Sequence, residues 1–185
     1  MINNPEKKFI TSFDKSYTSE IFYKKPDKYR DIEKQFKGEN SIITAGSHYS
    51  YAPLSFDKNS LSIDLSSFNR ILEFNLKEQE ITVEAGLTIL DLLKFTLKHD
   101  LWLPQIPGYP FISLGGIVAT NSHGKSCDTH GTIKNSIKKI KLFHQEHGWL
   151  NLSNEENKEI FDLTIGGLGL TGTIVAITFK LKKWE

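Results

Sequence analysis

Two glycine-rich segments contain the residues of this chain that are best suited to chemistry. One occupies residues 107–125 and the other occupies residues 166–172. Glycine lets the backbone approach another molecule closely, and a row of unobstructed N–H groups suits an anion such as a pyrophosphate. Because the two segments lie far apart in the sequence, they predict one extended ligand that is held at several points.

Two familiar sites are disfavoured by the surroundings of these segments. Residues 167–172 match the dinucleotide fingerprint G-x-G-x-x-G. However, a strand-like alternation follows them instead of a helix, no βαβ unit surrounds them, and the chain ends before the acid expected about 20 residues on. A zinc site at His123, Cys127 and His130 lacks a fourth ligand, so we expect no metal.

The elements that must position these segments predict an α+β fold. Strands are expected at residues 41–44, 61–65 and 175–181, hairpins at 71–85 and 137–152, and helices at 26–36, 88–97 and 154–163. Thr88 and Asp91 have the spacing of a capping box. The strands and helices do not alternate regularly, which excludes a doubly wound α/β fold. The first dozen residues are expected to form a loose arm.

The composition indicates a soluble globular protein, which we expect to be cytoplasmic. A net charge of +1 over 185 residues gives no reason to expect a nucleic-acid partner or an acidic membrane surface. No signal peptide is recognisable, and no apolar run approaches the roughly 20 residues of a membrane span. Cys127 is the only cysteine, so no internal disulfide is expected.

Seven short segments in order resemble the flavin-binding domain of the vanillyl-alcohol oxidase / p-cresol methylhydroxylase (PCMH) superfamily. They are residues 46–51, 63–65, 83–86, 107–108, 115–116, 123–124 and 169–172. The resemblance extends from about residue 26 to residue 181. Within the superfamily, residues 123–125 and 166–172 look most like the decaprenylphosphoryl-ribose oxidases. The sugar-alcohol and aldonolactone oxidases are the next most similar group.

The resemblance implies a two-lobed, PCMH-type FAD-binding domain over residues 15–185, preceded by an arm at residues 1–14. A small N-terminal α/β lobe is expected at about residues 15–65. A larger lobe with a mixed or antiparallel sheet and helices is expected at residues 66–185. Family oxidases continue into a substrate-binding cap domain, which is expected to be absent from this chain. A partner chain or the missing cap domain would then supply the substrate site.

The resemblance also implies that FAD lies extended between the two lobes. Residues 45–54 would form the first pyrophosphate loop, a second wall would face it, and residues 120–123 would run beside the isoalloxazine ring. The backbone of Ile174 would meet the adenine. The predicted FAD-binding residues are Ala45, Gly46, Ser47, His48, Tyr49, Ser50, Tyr51, Gly108, Ser113, Leu114, Gly115, Gly116, Thr120, Asn121, Ser122, His123, Gly124, Gly172 and Ile174.

The first loop departs from the family pattern at two positions. His48 stands where the usual motif has its second glycine, which questions the geometry of the pyrophosphate contact. Tyr49 stands where some members carry a histidine bonded covalently to the flavin. The resemblance therefore implies FAD held without a covalent bond.

The activity that the resemblance implies is dehydrogenation of a CH–OH group of a sugar, sugar alcohol or sugar-phosphate lipid. His123 would stabilise developing charge at the flavin edge, and Lys125 would orient the substrate. Simpler interpretations are a histidine that holds a turn and a solvated lysine. A flavin-binding subunit without its own catalysis is an alternative function. A degenerate interaction domain that no longer binds flavin is another, and His48 is the feature that favours it.

Overall fold

Two main β-sheets organise the chain in a computed structural model that describes residues 5–36 and 41–184. The strands are β1 (Glu6–Thr11), β2 (Thr18–Lys24), β3 (Ile42–Ala45), β4 (Leu61–Asp64), β5 (Ile71–Asn75), β6 (Glu80–Glu84), β7 (Leu101–Trp102), β8 (Ile137–His144), β9 (Gly148–Ser153), β10 (Thr173–Lys180) and β11 (Lys182–Lys183). The helices are α1 (Tyr29–Gln35), α2 (Ile89–Thr96), α3 (Leu114–Ala119), α4 (Cys127–His130) and α5 (Lys158–Thr164). This mixture confirms the predicted α+β class.

The first sheet has the strand order β1-β2-β4-β3. Strands β2, β4 and β3 are parallel, whereas β1 pairs antiparallel with β2. The prediction of a loose arm at residues 1–14 is therefore wrong for residues 6–11, while residues 1–4 lie outside the described part of the chain. Only Ile10 of β1 is buried, and the sequence of β1 shows no alternation of apolar and polar residues. The strand therefore depends on its backbone pairing with β2.

The second sheet is antiparallel throughout, with the order β5-β6-β10-β8-β9. Both predicted hairpins are present in it. Thr88 caps α2 as predicted, because its Oγ1 accepts a hydrogen bond from the Asp91 N–H at 3.2 Å. The main hydrophobic core lies between this sheet and the helices α2 and α3, and it includes Leu92, Leu114 and Ile177.

The helix expected at residues 154–163 begins later, at Lys158. The Ser153 hydroxyl accepts the N–H groups of Glu155 and Glu156, each at 3.0 Å, which makes a local turn. Asn157 then adopts a left-handed backbone with φ of 51°. None of the helices in residues 5–36 and 41–184 has the length and apolarity needed to cross a membrane.

The two sheets are joined by a shared apolar cluster and by polar contacts across it. Ile32, Phe68 and Val175 are completely buried in this cluster. The Tyr29 hydroxyl on α1 donates to Glu84 Oε1 on β6 at 2.7 Å, and Arg70 makes two further side-chain bonds to the same carboxylate. The Thr44 and Thr173 hydroxyls also meet at 2.8 Å. The edges of a groove between the sheets are thus fixed in place.

Acid is expected to destabilise the protein through Glu84 and Asp64, which are both buried. Burial alone would raise the pKa of each carboxyl, but hydrogen bonds from Arg70 and Tyr29 to Glu84, and from Ser66 and Tyr23 to Asp64, outweigh it and lower both pKa values. Carboxyls with lowered pKa values stabilise the fold above their unfolded pKa, and this stability is lost as the pH falls. Urea unfolding should therefore show a falling midpoint below about pH 4.5.

Glu84→Gln provides the test of this assignment. It should lower the free energy of unfolding at pH 7 by about 1.5–3 kcal/mol, because the Arg70 guanidinium loses the charge of its carboxylate partner. It should also flatten the acid dependence. Glu78→Gln is the matched control, since Glu78 is exposed in the β5–β6 turn. Equal stability of the two variants would contradict the proposed importance of the Glu84 network.

Candidate functional site

Three adjoining cavities form a groove between the first sheet and the glycine-rich segments of the second lobe. Their volumes are about 310, 80 and 480 Å³. Thr44 and Leu168 line all three cavities, so the groove is continuous but narrow at its middle. An elongated ligand can therefore contact distant parts of the sequence along one path.

The loop after β3 forms one wall of the groove. Residues 46–51 line the 310 Å³ cavity. No backbone N–H of these six residues donates a hydrogen bond within the described part of the chain. Residues 46–50 are half-buried, and a row of N–H groups without a protein acceptor is a ready site for an anionic group. This wall can neutralise a diphosphate without a cluster of lysines.

The opposite wall is the start of α3. Ser113 and Gly116 line both the 310 and the 80 Å³ cavities, and Gly115 lines the smaller one. The N–H groups here are already occupied: Leu114 donates to Leu87 at 2.8 Å, and Gly115 donates to Ala85 at 2.7 Å. This wall therefore shapes the groove and lets a ligand lie close to the backbone of α3. The N–H groups that a ligand could use belong to residues 46–51.

Gly46 brings the two walls together. A Cβ atom at Gly46 would lie 2.1 Å from Ser113 Oγ, far inside van der Waals contact. The Ser113 hydroxyl in turn accepts the Gly116 N–H at 3.3 Å and caps α3. Glycine is required at position 46 because the loop crosses the helix end at close range.

The structure brings most of the predicted cofactor residues to the groove, but not all of them. Residues 45–51, Ser113, Gly115, Gly116, Thr120, Ser122, Gly172 and Ile174 line its cavities. Gly108, Leu114, Asn121, His123, Gly124 and Lys125 do not. Leu114 is fully buried in the core, and a Cβ at Gly124 would lie 2.8 Å from the Ile106 carbonyl oxygen. Gly124 is thus required by packing of the protein on itself.

His123 and Lys125, the predicted catalytic side chains, are exposed. His123 pairs with Thr132 in an isolated bridge, and its Nδ1 lies 3.1 Å from the Gly124 carbonyl oxygen. Among the described residues, no group of three or more histidine, cysteine or acidic side chains could hold a metal ion. Both side chains are free to meet a substrate that approaches from solvent.

Asn121 adds a polar atom that has no partner in the protein. Its Oδ1 is buried and accepts no hydrogen bond within the described part of the chain. Its backbone is left-handed, with φ of 45°. An unpaired buried amide oxygen costs free energy, so such a group is expected to find an external partner. It lies between two predicted cofactor residues, Thr120 and Ser122.

Several lining residues were missed by sequence reasoning, and Leu168 is the most prominent. Leu168 has φ of 53°, which is unusual for a bulky side chain, and its N–H donates to the Ala119 carbonyl at 2.9 Å. Its flanking glycines marked the loop in the sequence, but only the fold brings it opposite Thr44. The same loop leads directly into β10 and not into a helix, which confirms that it is no Rossmann fingerprint.

Another cavity lies on the outer face of the five-stranded sheet, with a volume of about 490 Å³. Its walls are side chains of paired strands, such as Thr82 and Thr178, whose hydroxyls bond each other at 2.9 Å. Strand pairing occupies the backbone N–H groups there. The groove is therefore the better candidate for an anionic ligand despite its smaller cavities.

Comparison with known families indicates the cofactor of this chain. A family model described as FAD binding domain matches residues 31–153, about two thirds of the chain. The chain belongs to this FAD-binding family. The predicted resemblance to PCMH-type flavin domains is confirmed, and FAD is the cofactor that the family indicates.

Curated relatives that share this domain are named as oxidases and a dehydrogenase. The chain is 29% identical over 150 residues to a decaprenylphosphoryl-beta-D-ribose oxidase of Mycolicibacterium smegmatis, covering 80% of the chain and 33% of the relative. It is 25% identical over 168 residues to a D-arabinono-1,4-lactone oxidase of Debaryomyces hansenii, covering 83% and 30%. It is 28% identical over 131 residues to a mitochondrial D-lactate dehydrogenase [cytochrome] of Arabidopsis thaliana, covering 68% and 23%. The chain thus spans a third or less of these relatives.

The residues of the groove fit FAD on chemical grounds. A diphosphate needs several hydrogen-bond donors, and residues 46–51 offer N–H groups that no atom of the described residues accepts. An extended dinucleotide needs a long path, and the three cavities adjoin one another. These properties belong to separate segments of the sequence, as one elongated cofactor requires.

Proposed function

We propose that this chain is the FAD-binding part of an oxidoreductase that dehydrogenates a CH–OH group of a sugar, sugar alcohol or sugar-phosphate lipid. The single observation that carries the proposal is the row of unused N–H groups at residues 46–51, set in a continuous groove. The oxidase names of two of the relatives support the substrate class. FAD, when bound, accepts a hydride from the carbinol carbon.

The residues of the chain divide into binding and substrate-facing groups in this proposal. The N–H groups of residues 46–51 bind the diphosphate, and Ser113 and Gly116 hold the cofactor from the other side. His123 lies at the solvent edge, where its imidazole stabilises charge that develops on the reacting groups. Lys125 orients an anionic or polyol substrate through its ammonium group.

We also propose that FAD is held without a covalent bond. Tyr49 replaces the histidine that forms the bond in some members of the superfamily. The ring of the neighbouring His48 is hydrogen-bonded to Ser55, with 3.3 Å between Nδ1 and Oγ. That ring nitrogen is therefore engaged by the protein. Acid precipitation should release all flavin into the supernatant, and flavin that remained with the pellet would contradict this assignment.

A second candidate function is that of a flavin-binding module whose substrate site is supplied by further polypeptide. The observation that favours it is the coverage of the relatives, which is 33% at most among the three compared. The two functions differ in one measurement. Bleaching of the bound flavin by sugars or sugar alcohols under anaerobic conditions supports catalysis by this chain alone, whereas bleaching only after addition of a partner supports the module.

The FAD proposal is tested first by binding. The purified chain, stripped of ligand, should bind added FAD in a 1:1 ratio, with a change in flavin fluorescence. Lys125→Ala should bind FAD as tightly as the parent, because Lys125 is exposed and outside the groove. Turnover of the complete enzyme should fall in the same variant if Lys125 orients the substrate. A parent chain that does not bind FAD would overturn the proposal.

A further inference from the structure

His48 has a backbone conformation that usually requires glycine. Its φ is 57°, in the left-handed region, in the middle of the loop whose N–H groups are free. The loop of the resembling family has a glycine at this position. A histidine can adopt this conformation, but with a higher free energy than in an ordinary backbone. Such a residue persists when its surroundings hold it in place.

The side chain of His48 is held by a hydrogen bond to Ser55. Its Nδ1 lies 3.3 Å from the Ser55 hydroxyl, which comes after the loop. The Ser55 carbonyl accepts a hydrogen bond from the Ser62 hydroxyl on β4 at 3.0 Å. Burial lowers the pKa of His48, while the carboxylate of Asp64 on β4 acts in the opposite direction. The ring is therefore tied, through Ser55, to the parallel sheet beneath the loop.

Asp64 makes this anchor rigid. It is 6% exposed and accepts a hydrogen bond from the Tyr23 hydroxyl at 2.5 Å and another from the Ser66 N–H at 2.7 Å. Tyr23 is on β2 and Asp64 is on β4, so two strands of the first sheet contribute to the surroundings of the His48 ring. Within the described part of the chain, residues 46–51 donate no backbone hydrogen bond. A side-chain tie is thus the available means of fixing its middle.

We propose that His48 is a positioning residue for FAD. Its side chain ties the centre of the diphosphate-binding loop to Ser55, and so holds the free N–H groups in the orientation that the cofactor needs. A loop that is ordered before binding loses less conformational entropy when the ligand arrives. His48 therefore strengthens FAD binding, although its type departs from the family motif. This inference rests on the proposed assignment of residues 46–51 to the FAD diphosphate.

The test compares FAD affinity with stability in four variants. His48→Gly keeps the left-handed backbone without strain but removes the tie, so the relieved strain offsets part of the lost contact and the ligand-free chain should stay folded. Its Kd for FAD should rise about tenfold, as expected for losing one hydrogen bond and the order it imposes. His48→Asn, which tolerates the same backbone and keeps a polar group, should stay within about threefold of the parent.

Ser55→Ala removes the partner without changing the loop, and should weaken FAD binding about threefold to tenfold. The double variant His48→Gly/Ser55→Ala should bind no more weakly than His48→Gly, because both changes break the same tie. A His48→Gly chain that binds FAD as tightly as the parent would overturn the inference. So would full additivity in the double variant. Should His48→Gly not fold, parent-like binding by Ser55→Ala would overturn it instead.

The failure of the proposed function gives a different result. A parent chain that does not bind FAD would overturn both the proposed function and the inference about His48. If only the inference about His48 fails, the parent binds FAD and the His48 and Ser55 variants match it.

Discussion

Gly116→Val is expected to abolish FAD retention while the chain stays folded. Gly116 lines two of the three groove cavities, at the point where α3 meets the diphosphate loop. A Cβ atom there would already lie 3.1 Å from Ser113 Oγ and 3.8 Å from the Ile112 side chain. The two methyl groups of valine extend beyond Cβ into space that the cofactor is proposed to occupy. Overpacking of this kind costs about 3 kcal/mol, which corresponds to roughly 100-fold weaker binding.

Flavin content after purification and titration of the stripped protein with FAD measure this effect, and circular dichroism reports the fold. Gly116→Ala should bind with intermediate affinity, since it adds only the Cβ atom. Asn151→Val is the matched control: it introduces the same side chain at an exposed position on β9, facing the separate 490 Å³ cavity. A folded Gly116→Val chain with parent-like flavin content would show that FAD does not lie against α3.

The fold could be predicted where the pattern of apolar residues was strong. The hairpins of the second sheet and the cap at Thr88 follow from local alternation and capping chemistry, which act within a few residues. Strand β1 could not be predicted in this way. Its one buried side chain is Ile10, and its stability comes from hydrogen bonds to β2 that no local pattern reveals.

The site could be predicted only in part, because glycine motifs do not say what approaches the glycine. The resemblance marked Gly115 and Gly124 as cofactor neighbours. The structure shows that a Cβ at Gly115 would lie 2.9 Å from the Ala85 side chain, and one at Gly124 would lie 2.8 Å from the Ile106 carbonyl oxygen. Both glycines permit the protein to pack on itself. Leu168 illustrates the converse, since only the tertiary fold places it across the groove from Thr44.

Gly86, in the segment at residues 83–86, is likewise a glycine that the packing of the protein on itself requires. Gly86 follows β6 and is buried at the junction of the two lobes. Its N–H donates to the Phe68 carbonyl at 2.9 Å. A Cβ atom there would lie 2.1 Å from the Leu65 carbonyl oxygen and 2.8 Å from that of Phe68. These atoms are backbone, so they cannot move aside by changing a rotamer.

Gly86→Ala is therefore expected to destabilise the ligand-free chain by about 3 kcal/mol or more, or to prevent it from folding. Urea unfolding measures the loss, and the soluble yield reports the extreme case. Gly108→Ala is the matched control, because a Cβ at Gly108 has no neighbour within 4 Å. The control should stay within about 0.5 kcal/mol of the parent. If both variants were equally stable, the close backbone contact between the lobes at Gly86 would not exist.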